Sequence, residues 1–230
     1  MCFVFWIAAV LSVTVALSQG GADPQAGWTV SSVLKETDRA TKDYHRVRAE
    51  VRWDEMLAGR KASGTGTMYV DFEGKVRAEV GGDNPRTILA MPPFLYVYRP
   101  LMETVENYYT PSYPDLLAQY VLVGWVPSGG AIKKQYKVKL LREESLDGRN
   151  VVVLSLEPKS KPVKQAISSI VLWIDTATWL PAQQLLRHSS GGMQVTVRYL
   201  DVSRDDDLSD EFFESKWPPG TKMIKLWDGG

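Results

Sequence analysis

Between residues 46 and 53 apolar and charged side chains alternate without a break. Val47, Ala49, Val51 and Trp53 fall on one side of an extended chain; Arg46, Arg48, Glu50 and Arg52 fall on the other. Successive side chains of a strand point to opposite faces, so this is a strand with one buried and one wet face. Residues 57–63 read as a loop. The pattern resumes at 66–72, with Met68, Val70 and Phe72 on one face, and Glu73-Gly74 turns the chain. Residues 75–80 return with Val76, Ala78 and Val80 alternating against Lys75, Arg77 and Glu79. Three successive half-buried strands predict the wall of an open curved sheet or barrel.

The period is helical just before them. Val30, Val33, Leu34, Thr37, Ala40 and Tyr44 recur at helix spacing, with Lys35, Glu36, Asp38, Arg39 and Lys42 between. An amphipathic helix over 28–44 must bury one face, against the sheet or across its open side. After the third strand, 81–85 is a loop. Residues 87–90 and 95–98 read as short strands either side of Met91-Pro92-Pro93, and 104–108 as another. Ser112 and Asp115 stand at capping-box spacing before Leu116, Leu117, Tyr120 and Val121, which predicts a helix over 114–123. Gly124 to Gly130 should break it. Residues 134–143 read as a strand.

Residues 151–203 carry the densest β signal. β-Branched runs predict strands over 151–157, 168–175, 180–188 and 193–202, separated by Asp175-Thr176-Ala177-Thr178 and Ser189-Ser190-Gly191-Gly192. Links this short leave no room for crossover helices, so the strands are antiparallel neighbours. Ile170, Leu172 and Ile174 point one way; Val171 and Trp173 point the other. Both faces of that strand need cover, by a core plus a helix or a core plus a ligand. In the last strand Val195, Val197 and Tyr199 share the apolar face, and Gln194, Thr196 and Arg198 the wet one. A turn of helix at 208–213 and a short strand at 221–226 close the chain. The result is a mainly β (α+β) fold of roughly ten antiparallel strands and two principal helices.

Residues 2–17 are continuously apolar and are followed by small residues around Ser18 to Ala22. This predicts a signal peptide over 1–22 and a single mature domain over 23–230; a retained membrane anchor is the alternative. Cys2 is the only cysteine, which excludes an intrachain disulfide. The 27 basic and 27 acidic residues cancel, so no net field draws nucleic acid. Lys133, Lys134, Lys137, Lys139 and Arg142 form a local basic run, read as the wet edge of a strand or a docking surface for acidic partners or headgroups.

Catalytic patterns are missing. His45 and His188 are the only histidines, and no zinc, EF-hand, P-loop or nucleophile-elbow spacing occurs. Gly64-x-Gly66 lacks the third glycine of a dinucleotide loop and reads as turn geometry. Asp205 to Asp207 lack a spaced ligand cage. No catalytic residue, metal or cofactor is expected. What remains is a surplus of large apolar groups on a curved sheet, which can enclose an apolar cavity.

Leu154-x-Leu156-x-Pro158, Ile170-x-Leu172-Trp173-Ile174-Asp175, Leu180-Pro181 and the closing FESKWPPG of residues 213–220 resemble LolA-type periplasmic lipoprotein carriers. So do the strand-turn-strand unit of 66–77 and Tyr98-x-Pro100 with Glu103-x-Val105. Where such carriers usually have Arg-Pro before the third strand, this chain has Asp71-Phe72-Glu73-Gly74. The resemblance implies an incomplete antiparallel β-barrel closed by a helical lid, with a concave face that receives lipoprotein acyl chains. It implies that Val51, Trp53, Met68, Val70, Phe72, Tyr96, Tyr98, Leu172 and Ile174 line that cavity, and that Leu117 and Tyr120 belong to the lid. It implies a monomeric, non-enzymatic protein of the periplasm that docks transiently to envelope membrane proteins. A general lipid, glycolipid or envelope-sensing protein of the same fold, and a non-lipid interaction module, are the alternatives.

Overall fold

The computed structural model describes residues 27–112, 125, 129–205 and 207–226. The expected signal segment and the expected helix over 114–123 lie outside the described residues. Twelve strands form one sheet: β1 (Arg46–Leu57), β2 (Arg60–Asp71), β3 (Lys75–Val80), β4 (Arg86–Met91), β5 (Phe94–Arg99), β6 (Thr104–Tyr109), β7 (Tyr136–Leu146), β8 (Arg149–Pro158), β9 (Ile167–Asp175), β10 (Pro181–His188), β11 (Met193–Arg204) and β12 (Lys222–Lys225). Their spatial order is β12-β6-β5-β4-β3-β2-β1-β11-β10-β9-β8-β7. Two antiparallel meanders are thus joined where β1 pairs with β11, and the sheet curls into an incomplete barrel with β12 and β7 at its two edges.

The alternation read in the sequence decides which face of the sheet is buried. Val47, Ala49, Val51 and Trp53 of β1, Met68 and Val70 of β2, and Val76, Ala78 and Val80 of β3 all enter one core on the concave side. Leu154 and Leu156 of β8, Ile170, Leu172 and Ile174 of β9, and Val195, Val197 and Tyr199 of β11 meet them from the other half. Helix α1 (Val30–Asp43) crosses this concavity. Thr29 and Ser32 cap it reciprocally: the Ser32 N–H donates to Thr29 Oγ1 at 3.1 Å, and the Thr29 N–H to Ser32 Oγ at 2.9 Å.

The second apolar face of β9 is also covered. Val171 and Trp173 pack with Val151, Val153 and Ala182 on the convex side, flanked by Leu146 and Leu185. At the other end of the sheet, Leu89, Tyr96 and Val105 form a third cluster under the C-terminal segment, which lays Phe213 into it. The Phe212 ring rests on Tyr69 at 4.3 Å, and Trp217 lies 5.5 Å from Tyr98. The chain then reaches the sheet edge as β12, parallel to β6 rather than antiparallel as expected.

Local departures from the sequence reading have simple causes. Residues 57–63 are not a loop: β1 and β2 run on as a polar ribbon to a two-residue turn at Ala58-Gly59, both with positive φ. An unburied hairpin arm carries no apolar alternation to betray it. Two short helices, α2 (Gly129–Gln135) and α3 (Lys161–Ala166), stand where loop and the start of a strand were expected. Each contributes one large buried side chain to the concave core, Ile132 and Val163, too little to set a period. Asp71, which alternation put on the wet side, is buried. It takes Nη2 of Arg46 at 3.1 Å and the Glu73 N–H at 2.8 Å.

Gly64 and Gly66 are strand residues, not turn residues. They lie opposite Trp53 and Val51, and a methyl group at Gly66 would sit 1.8 Å from the Glu79 carbonyl oxygen of β3. No side chain gives way there, because the obstacle is backbone. Gly66→Ala should cost about 3 kcal/mol in urea unfolding, through lost β2–β3 pairing. Gly192→Ala, where the added methyl meets open space, should change the midpoint little. A Gly66→Ala protein as stable as the Gly192→Ala protein would refute the close approach.

Arg46 also bonds Asp210 and the Leu208 carbonyl, and Lys75 lies 3.7 Å from Asp210, so the C-terminal segment is tied down by charge. The hydrogen bond from Arg46, with the positive charge of Lys75, holds the Asp210 carboxyl below its ordinary value. A depressed folded pKa stabilises above the unfolded value, and that contribution is lost as pH falls through the folded one. The protection of amides in residues 208–217, taken relative to their intrinsic exchange rate at each pH, should therefore fall below about pH 4. In Asp210→Asn this acid step should be absent; an unchanged step would assign it elsewhere.

Candidate functional site

The site is built up from what closes the concavity. α1 turns Val33, Leu34 and Ala40 into the core. α2 lies against it through Gly129, whose hypothetical Cβ would come within 2.7 Å of Leu34 Cβ, and whose N–H donates to Asp38 Oδ1 at 2.5 Å. Trp28 meets Trp179 edge-on at 4.7 Å. Trp125 is buried beneath, edge-on to Tyr199 at 5.1 Å and 6.4 Å from Phe72. None of these covering groups takes part in the sheet's hydrogen-bond ladder. They are held mainly by apolar area, which an apolar ligand can replace in kind.

Val51, Trp53, Met68, Val70, Leu172 and Ile174 all belong to the concave core, with Phe72 half-buried against it. Tyr96 and Tyr98 do not. Their strand points Leu95 into the concave core and turns both tyrosines to the convex cluster beside Trp217. Both faces of β5 are apolar, so alternation could not tell inside from outside, and a one-residue slip inverts the choice. Leu117 and Tyr120 lie outside the described residues. A gap bounded by Val51, Trp53, Met68, Ala78, Gln184, Val197 and Tyr199 remains in the interior, with about 10 Å³ of room, the size of one water.

That gap is not wholly apolar. Gln184 Oε1 and the Tyr199 hydroxyl both lack a hydrogen-bond partner, as does the Trp125 indole nitrogen. Burial pushes the Tyr199 phenol well above its usual pKa; the Trp125 N–H opposes this weakly from nearby, outside hydrogen-bond geometry. The sequence offered one overlooked sign, a glutamine pair inside the apolar strand β10. Gln183 goes to the convex side and takes Nε of Arg198 at 2.8 Å, while Gln184 goes in.

Past Trp53 the concave face ends in a charged rim. Glu55 is bonded by Arg86 and accepts the Trp53 indole N–H at 2.7 Å. The Arg86 guanidinium lies over the Trp53 ring at 4.6 Å. On the convex side an open groove of about 410 Å³ runs between Arg77, Thr87 and Tyr98 and the passing Lys216-Trp217-Pro218. Among the described residues no three His, Cys, Asp or Glu side chains are grouped to hold a metal ion. Among them too, no helix is long and apolar enough to cross a membrane.

A family model described only as an uncharacterized protein matches residues 128–217. No curated protein matches the chain. Among solved structures, the chain is similar to an uncharacterized conserved protein from Thermus thermophilus. The TM-score is 0.55 at 10% identity, over 86% of this chain and 99% of that one. It is also similar to a LolA superfamily protein from Nitrosomonas europaea, with TM-score 0.45 and 15% identity over 82% and 99% of the two chains. A putative outer membrane lipoprotein-sorting protein domain from Vibrio parahaemolyticus gives 0.46 and 13%, over 80% and 97%. The chain thus shares its fold with the Thermus protein over nearly the whole length of that chain.

Proposed function

We propose that this chain is an exported, periplasmic carrier that takes the acyl chains of a lipoprotein on its concave face and hands them on toward the outer membrane. The observation that carries this reading is the closure of the concavity: a continuous apolar wall covered by α1, α2 and Trp125, none of them paired into the sheet. Acyl chains exchange for those groups at little net cost, because each apolar surface removed from water is matched by another. Binding of this kind needs no metal, cofactor or catalytic group, and a monomer suffices. Brief docking to envelope membrane proteins completes the cycle.

The test is mass spectrometry of lipids co-purified with protein exported by its own cells. A bound acylated peptide supports the carrier. Free phospholipid or glycolipid supports a general lipid binder of the same fold. The convex groove beside Trp217, larger than the gap at Gln184, favours a second reading, a non-lipid interaction module. A delipidated protein that binds no fluorescent acyl probe would leave only that second reading.

A further inference from the structure

The unpartnered polar atoms in the concave gap say more about the ligand than the apolar wall does. Gln184 and Tyr199 are 3% and 0% exposed, and both line the gap. A buried polar atom without a partner costs free energy that an apolar side chain of the same size would not. Leucine at 184 or phenylalanine at 199 would fill the same space without that cost. Their hydrogen-bonding capacities are also complementary. Gln184 Oε1 only accepts, the Tyr199 hydroxyl donates and accepts, and the Trp125 indole only donates.

We propose, resting on the lipid-binding reading above, that the concave face selects an acyl chain bearing a hydroxyl group. That hydroxyl donates to Gln184 Oε1 and accepts from the Tyr199 hydroxyl. A plain hydrocarbon segment fits the wall but leaves both atoms unpaired. An ester carbonyl satisfies Tyr199 and leaves Gln184 unpaired, since it has no proton to give. The hydroxyl of a hydroxylated chain satisfies both at once.

The experiment is displacement of a fluorescent fatty acid from the delipidated full chain by palmitate, β-hydroxypalmitate and ω-hydroxypalmitate. One of the hydroxylated chains should bind about tenfold more tightly than palmitate, the effect of pairing an otherwise unpaired buried group. Gln184→Leu should abolish the preference, bringing the hydroxylated chain to palmitate's affinity or below it, and Tyr199→Phe should reduce it. Both substitutions nearly conserve size, and near-ultraviolet circular dichroism verifies their packing. Equal affinities in the wild type would overturn the inference and leave a single buried water as the partner of both atoms. A preference that survives both substitutions would overturn it as well. Should none of the three acids bind, the lipid-binding reading itself falls, and a plain preference for palmitate distinguishes the one failure from the other.

Discussion

Val70→Asp is expected to unfold the protein at neutral pH. Val70 is 0% exposed, and its cross-strand partners Val47 and Val76 are apolar and equally buried. Enclosed by these neighbours, a carboxylate there has no hydration to keep. It must neutralise, which at pH 7 costs about 4 kcal/mol, given an ordinary aspartate pKa near 3.9. The neutral acid without a partner costs about 2 kcal/mol more, and the lost packing about 1. The sum rivals the whole stability of a typical domain, about 5–15 kcal/mol. Because the folded pKa is raised, the penalty shrinks as pH falls toward the unfolded value. Urea unfolding should therefore show a deficit about 2.7 kcal/mol smaller at pH 5 than at pH 7. A Val70→Asp protein with the wild-type midpoint at pH 7 would mean that Val70 is not packed as observed. One consequence concerns the site. A charge at Val70 reports on folding, so ligand contacts are better probed by size-conserving changes at Gln184 and Tyr199.

The first three strands were legible because one face is apolar and the other charged, so Val47 to Trp53 and Val76 to Val80 named their own side. The strands β8 to β11 were legible for a different reason, as β-branched runs cut by turns. Legibility failed where burial is two-sided or absent. Tyr96 and Tyr98 were misplaced because Leu95, Tyr96, Val97 and Tyr98 give no alternation, and what covers the tyrosines arrives from residues 208–217, more than a hundred positions later. The hairpin arm ending at Ala58-Gly59 was missed because it buries too little to show a pattern. Asp71 was misjudged because its cationic partner, Arg46, comes from the neighbouring strand, 25 positions earlier in the chain. The same holds for the candidate site. The buried face of β1 to β3 could be read from alternation, that of β5 could not. That Gln184 and Tyr199 line one gap depends on the register between β10 and β11, and the ring contact of Trp125 with Tyr199 spans residues far apart in sequence; no local pattern encodes either.

The rim pair offers a second large effect with an unequal outcome for its two partners. The Arg86 side chain is 3% exposed and that of Glu55 16%, and they are bonded to each other over the Trp53 ring. Glu55→Gln keeps the shape and the acceptor for the Trp53 N–H but strands a guanidinium that cannot lose its proton. The amide oxygen can still accept from Arg86, but no negative charge is left beside the guanidinium, whose other neighbours are the Asn84 carbonyl, at 3.1 Å, and the indole face. That substitution should cost about 3–5 kcal/mol, the range for a broken buried pair. Arg86→Met should cost less, about 2 kcal/mol, because the stranded carboxylate is nearer water and can take up a proton. It also removes the Arg86 Nε, a buried donor without a partner. The double variant should recover most of the Glu55→Gln loss, since a neutral, well-filled rim has no charge left to strand. Urea midpoints of the three proteins decide the matter. If Arg86→Met proves as costly as Glu55→Gln, or the double variant shows simple addition, the rim is not held by mutual charge, and packing of Arg86 on Trp53 must account for its place in the fold.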